Sequence, residues 1–202
     1  MKRAWIGALL IALLATGAMA ATAESAALPA AATAGPTGGT AEAEEDASPP
    51  DAAFDAGRAG YAGVWVPFED GFQLYLPAEW RALELTDAQR EAGLFYRAGG
   101  GGASVAVAYA PANALSTVDD LEADYRGAGF SDIARLALNG IDAVGFARPE
   151  AGYQGVAFFN PIWPDYVMTV YFAPLIAGDA PEGARGRAIL RSLSPWAAAP
   201  EP

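Results

Sequence analysis

Glu79 and Asp165 are the carboxylates with which this sequence could run acid–base chemistry, the first in GFQLYLPAEW (residues 71–80) and the second in NPIWPD (residues 160–165). Two carboxylates about 5–10 Å apart across a cleft can hydrolyse a glycosidic bond, but a linear sequence brings no partner to either one. The more usual reagents are missing, because none of the 202 residues is histidine or cysteine. With them go the imidazole base, the thiolate nucleophile and the ligands of ordinary zinc, haem and iron–sulfur sites. Ser-His-Asp and Cys-His catalysis are excluded on the same ground. The one lysine is Lys2, inside the apparent leader, so Schiff-base chemistry is not expected of the mature chain. Carboxylates, hydroxyls, tyrosines and arginines are left, which favours a non-catalytic protein with no cofactor and no metal.

Binding is the more promising chemistry. Trp65, Trp80, Trp163 and Tyr166 are aromatic side chains that could line a small-ligand cleft. Arg187 and Arg191 are four residues apart near the end of a helical pattern. They either complement the helix dipole or hold an anion. Trp163, Tyr166, Arg187 and Arg191 are therefore the candidate binding residues. Three tempting motifs carry less. Asp119 and Asp120 are adjacent, about 100° apart on a helix, and read as capping residues rather than as a metal pair. EAEEDASPPD lacks the spacing and the glycine of a calcium loop. The glycines at 99–102 lack the Lys-Ser/Thr of a phosphate loop and read as a hairpin tip.

These residues are carried by a chain with a net charge of −12, which repels nucleic acid and anionic lipid headgroups. Residues 1–20 read as a signal peptide: Lys2 and Arg3, an apolar run, then Ala18-Met19-Ala20 with cleavage after Ala20. The alternative is an uncleaved anchor, since no charge interrupts residues 4–23. Residues 21–60 are rich in Ala, Pro, Gly and Glu and read as a disordered linker. One folded domain is expected over 61–196, with a tail at 197–202. The destination is outside the cytoplasm, in the cell envelope or secreted.

The domain reads as alternating strands and a few helices. YAGVWVPF and FQLYLP flank the turn EDG, and Pro77 ends the second strand. TDAQREAG gives a short helix capped by Thr86. GLFYRA and SVAVAYA are strands. STVDDLEADYRGAG is a helix capped by Ser116 or Thr117, with Val118, Leu121 and Tyr125 on one face. Asn139-Gly140 predicts a tight hairpin with Leu138 opposite Ile141. YQGVAFF and YVMTVYF follow, the latter apolar on both faces and hence central. PEGARGRAILRSL closes the domain as a helix burying Ile189, Leu190 and Leu193. An α+β fold is expected, an antiparallel β-sheet flanked by helices.

The order of GFQLYLPAEW, a capped helix ending YRGAGF, an LNGIDAVGF hairpin and a closing AILRSL helix resembles the PsbP-like superfamily, in particular its exported bacterial members of unknown function. The resemblance runs from about Trp65 to Leu193. It implies an α/β/α sandwich and a non-catalytic interaction or accessory role, with no catalytic set to carry over. Three functions follow as expectations. The first is a binding or accessory module whose partner is another extracytoplasmic protein or a small ligand. The second is a small-ligand carrier with an aromatic-lined cleft. The third is a carboxylate hydrolase using Glu79 or Asp165.

Overall fold

The double-faced run YVMTVYF decides where the core lies. In the computed structural model of the chain, residues 53–175 and 181–196 are described. The leader, its cleavage point at Ala20, the linker as far as residue 52 and the tail at 197–202 lie outside them. YVMTVYF forms the body of strand β9 (Tyr166–Ala173), the middle member of a seven-stranded sheet. Its neighbours are β5 (Ala103–Pro111) and β4 (Leu94–Gly100), then the two-residue β3 (Arg81–Ala82) at one edge. On the other side come β8 (Tyr153–Phe159), β7 (Ile141–Arg148) and β6 (Ser131–Leu138). A second sheet has three strands, β1 (Gly63–Phe68), β2 (Phe72–Pro77) and β10 (Ser194–Pro195), in that order. Every strand pair among the described residues is antiparallel. Among the described residues three α-helices complete a mixed α+β fold: α1 (Asp87–Glu91), α2 (Val118–Gly127) and α3 (Pro181–Arg191).

Because side chains alternate along a strand, β9 feeds two separate cores. Met168, Val170 and Phe172 pack with Phe72, Leu74 and Leu76 of β2 and with Ile189, Leu190 and Leu193. Val167 and Tyr171 pack on the opposite side with Leu121 and Tyr125 of α2. Burial pushes the Tyr125 and Tyr171 phenols well above the ordinary tyrosine range. The Tyr125 hydroxyl shares a hydrogen bond of 3.0 Å with the Thr169 hydroxyl, which satisfies both inside the core.

One antiparallel sheet was the expectation, and the described residues form two. The β1–β2 hairpin has one continuous apolar face, Phe72, Leu74 and Leu76, all buried. That face lies against the large sheet, and β2 pairs with β10 rather than with a strand of the large sheet. A second correction concerns where folded chain begins. Phe54 precedes the expected start at residue 61, yet its ring meets Trp65 at 5.8 Å and Tyr75 at 5.7 Å. Its N–H donates to Asn139 Oδ1 at 2.6 Å. The Phe54 ring and this hydrogen bond hold a polar segment that composition assigns to the linker.

The glycine run also divides. Gly99 and Gly100 belong to β4, and only Gly101 and Gly102, at φ 61° and 83°, make the turn. A Cβ on Gly100 would meet Trp80 Cδ1 at 2.9 Å, so this glycine lets the indole lie flush on the strand. Trp80 is buried and stacks on Phe172 with centroids 6.4 Å apart.

Helix signals behave as read. Thr86 caps α1 and Thr117 caps α2, each within a reciprocal capping box. Asp120 is the acidic partner of Thr117. Hydrogen bonds from the Thr117 hydroxyl and the Ser116 N–H hold its carboxyl below the usual range. Asp119 pairs instead with Arg135. The Asn139-Gly140 turn has φ 52° and 92°, with Leu138 opposite Ile141 and Leu136 opposite Ala143.

The sheet edges are all short or interrupted. β3 and β10 have two residues each. β1 contains Pro67, which has no N–H to offer. The pairing of β6 with β7 shifts register between Ser131 and Ala134, where Asp132 sits at φ 51°.

Candidate binding cleft

The loop between β8 and β9, residues 160–165, contains two prolines and therefore few N–H groups of its own. Its shape comes from one buried side chain. Asn160 Oδ1 accepts from the N–H groups of Ile162 and Trp163, both at 2.9 Å. Asn160 Nδ2 donates to Asp70 Oδ1 at 2.9 Å and to Met168 Sδ at 3.3 Å. The backbone adds Asn160 N–H to Tyr166 O and Tyr166 N–H to Trp163 O, both 2.9 Å, and Ala112 N–H to Asp165 O at 2.7 Å. Asp70 belongs to the β1–β2 turn, so the loop of the large sheet is tied to the small sheet. Gly71 confirms how closely they meet: a Cβ there would come within 2.8 Å of Ile162 Cγ1.

Beside this loop lies a cleft of about 330 Å³, lined by Asp70, Phe95, Tyr109, Asn160, Trp163 and Tyr166. The register explains why aromatics gather here. Tyr109 faces Met168, and Pro111 faces Tyr166, across the β5–β9 pair. By alternation Tyr109 and Tyr166 continue the same stripes as Val105–Val107 and Met168–Val170–Phe172. Those stripes form the core wherever the small sheet covers them. At the ends of β5 and β9 the cover stops, and tyrosine replaces the aliphatic residues. Tyr109 is left 46% exposed, Tyr166 39% and Trp163 61%. Tyr109 meets Tyr166 edge-on at 5.9 Å and Phe95 at 6.0 Å. Phe95 in turn meets Phe68 of the buried cluster at 6.0 Å, which anchors the row to the core. The β4–β5 register shift between Leu94 and Tyr96 is what turns Phe95 toward this face.

Of the residues singled out from sequence, Trp163 and Tyr166 come together in this cleft. Arg187 and Arg191 do not line it. They sit on α3, where the Arg191 carbonyl accepts from Asn139 Nδ2 at 3.0 Å. Trp80 is a core residue. Trp65 belongs to a different cluster with Phe54, Tyr61 and Tyr75. Glu79 lies 3.4 Å from Arg185, whose guanidinium is 5.9 Å from the centre of the Tyr61 ring. Asp165 is exposed and contributes its backbone oxygen to the loop. Neither Glu79 nor Asp165 lines the cleft, and Asp70 is the one carboxylate that does. Among the described residues no group of three or more acidic side chains is placed to hold a metal ion, and no helix is long and apolar enough to cross a membrane.

Sequence reasoning missed Asp70, Phe95, Tyr109 and Asn160. Tyr109 carried a readable signal, because an aliphatic stripe that ends in tyrosine marks where burial stops. Asp70 and Asn160 meet across 90 residues of sequence, and nothing local announces them.

No family model matches the sequence, and no curated protein matches it. Among solved structures the chain is similar to a protein of Bacteroides thetaiotaomicron, at 13% identity and a TM-score of 0.41. The match covers 67% of this chain and 49% of that one, so the chain spans about half of that protein's length.

Proposed function

We propose that the protein is an exported, non-catalytic binding module of PsbP-like type, acting outside the cytoplasm through the cleft of Tyr109, Trp163 and Tyr166. The leader supports export. The order of sequence motifs supports the PsbP-like assignment. The contacts of α2 with β6, β7 and β8, and of α3 with β2 and β9, fit an α/β/α sandwich in which the three-stranded sheet shares one layer with α3.

One observation carries the functional reading: exposed aromatic rings from separate strands and a loop converge on one concavity, next to a single carboxylate. A protein core has no need of such an arrangement, and small-molecule sites commonly have it. The volume of about 330 Å³ lies at the small end of ligand pockets. It favours a small ligand over another envelope protein as the occupant. Among the described lining residues Asp70 is the one carboxylate, which favours binding over hydrolysis.

A thermal-shift screen of small molecules on the exported protein tests this. A ligand should raise the melting temperature, and Trp163→Ala should weaken its binding about tenfold or more. The same substitution should change intrinsic stability by less than about 0.5 kcal/mol, because the ring is mostly exposed. Ligands that bind Trp163→Ala as well as the parent protein would place binding elsewhere.

A further inference from the structure

We infer that the cleft takes a small ligand bearing a quaternary, fully alkylated ammonium group. The inference rests on the cleft being a binding site and specifies its chemistry. Aromatic faces attract cations through the ring quadrupole, more strongly the further the cation is desolvated. Here Phe95, Tyr109, Trp163 and Tyr166 supply four rings. Tyr109, Trp163 and Tyr166 are substantially exposed, and no aromatic neighbour covers the Trp163 ring among the described residues. A fully alkylated ammonium suits such walls, because its surface is apolar and its charge cannot be met by hydrogen bonds.

The polar lining points the same way. Among the described residues that line the cleft, Asp70 is the one that carries a charge. Asn160 holds Asp70 Oδ1 at 2.9 Å, which fixes the carboxylate beside the rings and leaves its second oxygen uncommitted to that bond. The Asn160 amide is otherwise spent: its oxygen accepts from two backbone N–H groups, and its nitrogen serves Asp70 and Met168. An anion would need a positive charge, and no cationic side chain stands among the described lining residues. At longer range the net charge of −12 draws cations toward the protein and repels anions.

The experiment titrates the full chain with choline and, separately, with its neutral tert-butyl analogue, in which carbon replaces the ammonium nitrogen. Binding is followed by calorimetry. Choline should bind at least about tenfold more tightly than the analogue, a difference of about 1.4 kcal/mol. Asp70→Asn should remove most of that preference by weakening choline far more than the analogue. Trp163→Ala should weaken both compounds. Equal binding of the two would overturn the cationic class and leave an apolar binding cleft standing. Choline binding unaffected by both substitutions would overturn the site. Failure of choline to bind would overturn the class, and the thermal-shift screen would then decide separately whether the cleft binds anything else.

Discussion

Asn139 and Asn160 stand in turns at the same end of the β6–β7–β8–β9 meander and do opposite things with the same amide. Asn139 closes. Its Oδ1 accepts from Phe54 N–H at 2.6 Å, and its Nδ2 donates to the carbonyls of Arg191 and Leu193 at 3.0 and 2.7 Å. One side chain thus ties down the N-terminal segment and answers orphan carbonyls at the end of α3. Asn160 opens. It holds Ile162 and Trp163 by their N–H groups in a loop that projects an indole into solvent. Trp80 and Trp163 repeat the contrast, the first stacked under cover and the second displayed. An asparagine amide is therefore neutral as to purpose. What it fastens decides whether the region serves the core or the surface.

The contrast can be tested from its strongest side first. Trp80→Ala should cost about 3–5 kcal/mol in a denaturant melt, because the buried indole fills the gap between Gly100 and Phe172. Trp80→Phe should cost far less, since the buried Nε1–H has no hydrogen-bond partner to lose. An equal cost for the two variants would mean that a phenyl ring cannot fill the gap the indole occupies. Asn139→Ala should cost about 2–4 kcal/mol, the sum of three hydrogen bonds at about 1 kcal/mol each with some strain at φ 52°. Asn139→Gly keeps the turn and still loses the bonds, so it should recover only the strain. Full recovery by glycine would reduce Asn139 to a turn residue. Asn160→Ala should cost about 1–3 kcal/mol and move Trp163 fluorescence as the loop loses its scaffold. A larger loss than for Asn139→Ala would place Asn160 on the core side of the comparison.

Much of the fold was legible because its signals are local. The two-faced pattern of residues 166–172 located the central strand, Asn139-Gly140 set a register, and Thr117 with Asp120 marked a helix start. The division into two sheets was not legible. A one-sided hairpin such as β1–β2 can join the edge of a sheet or lie on its face, and alternation is the same for both. Phe54 was hidden by its neighbours' composition. For the cleft, Trp163 was visible as an aromatic in a proline-bounded loop and Tyr166 as the first residue of the central strand. Asp70 was not, since its role depends on a bond to Asn160 across two sheets. Arg187 and Arg191 drew notice through charge and spacing, yet they sit on α3 outside the cleft.

The blunted edges have a consequence for how this molecule can meet others. A sheet grows by offering a row of free N–H and C=O groups to an incoming strand. Here that invitation is withdrawn at β3 and β10 by brevity, at β1 by Pro67 and at β6 by its register shift. The chain carries no disulfide to guard it, since it has no cysteine. Recognition is left to side chains, and the richest display of them is the row of rings beside Asp70.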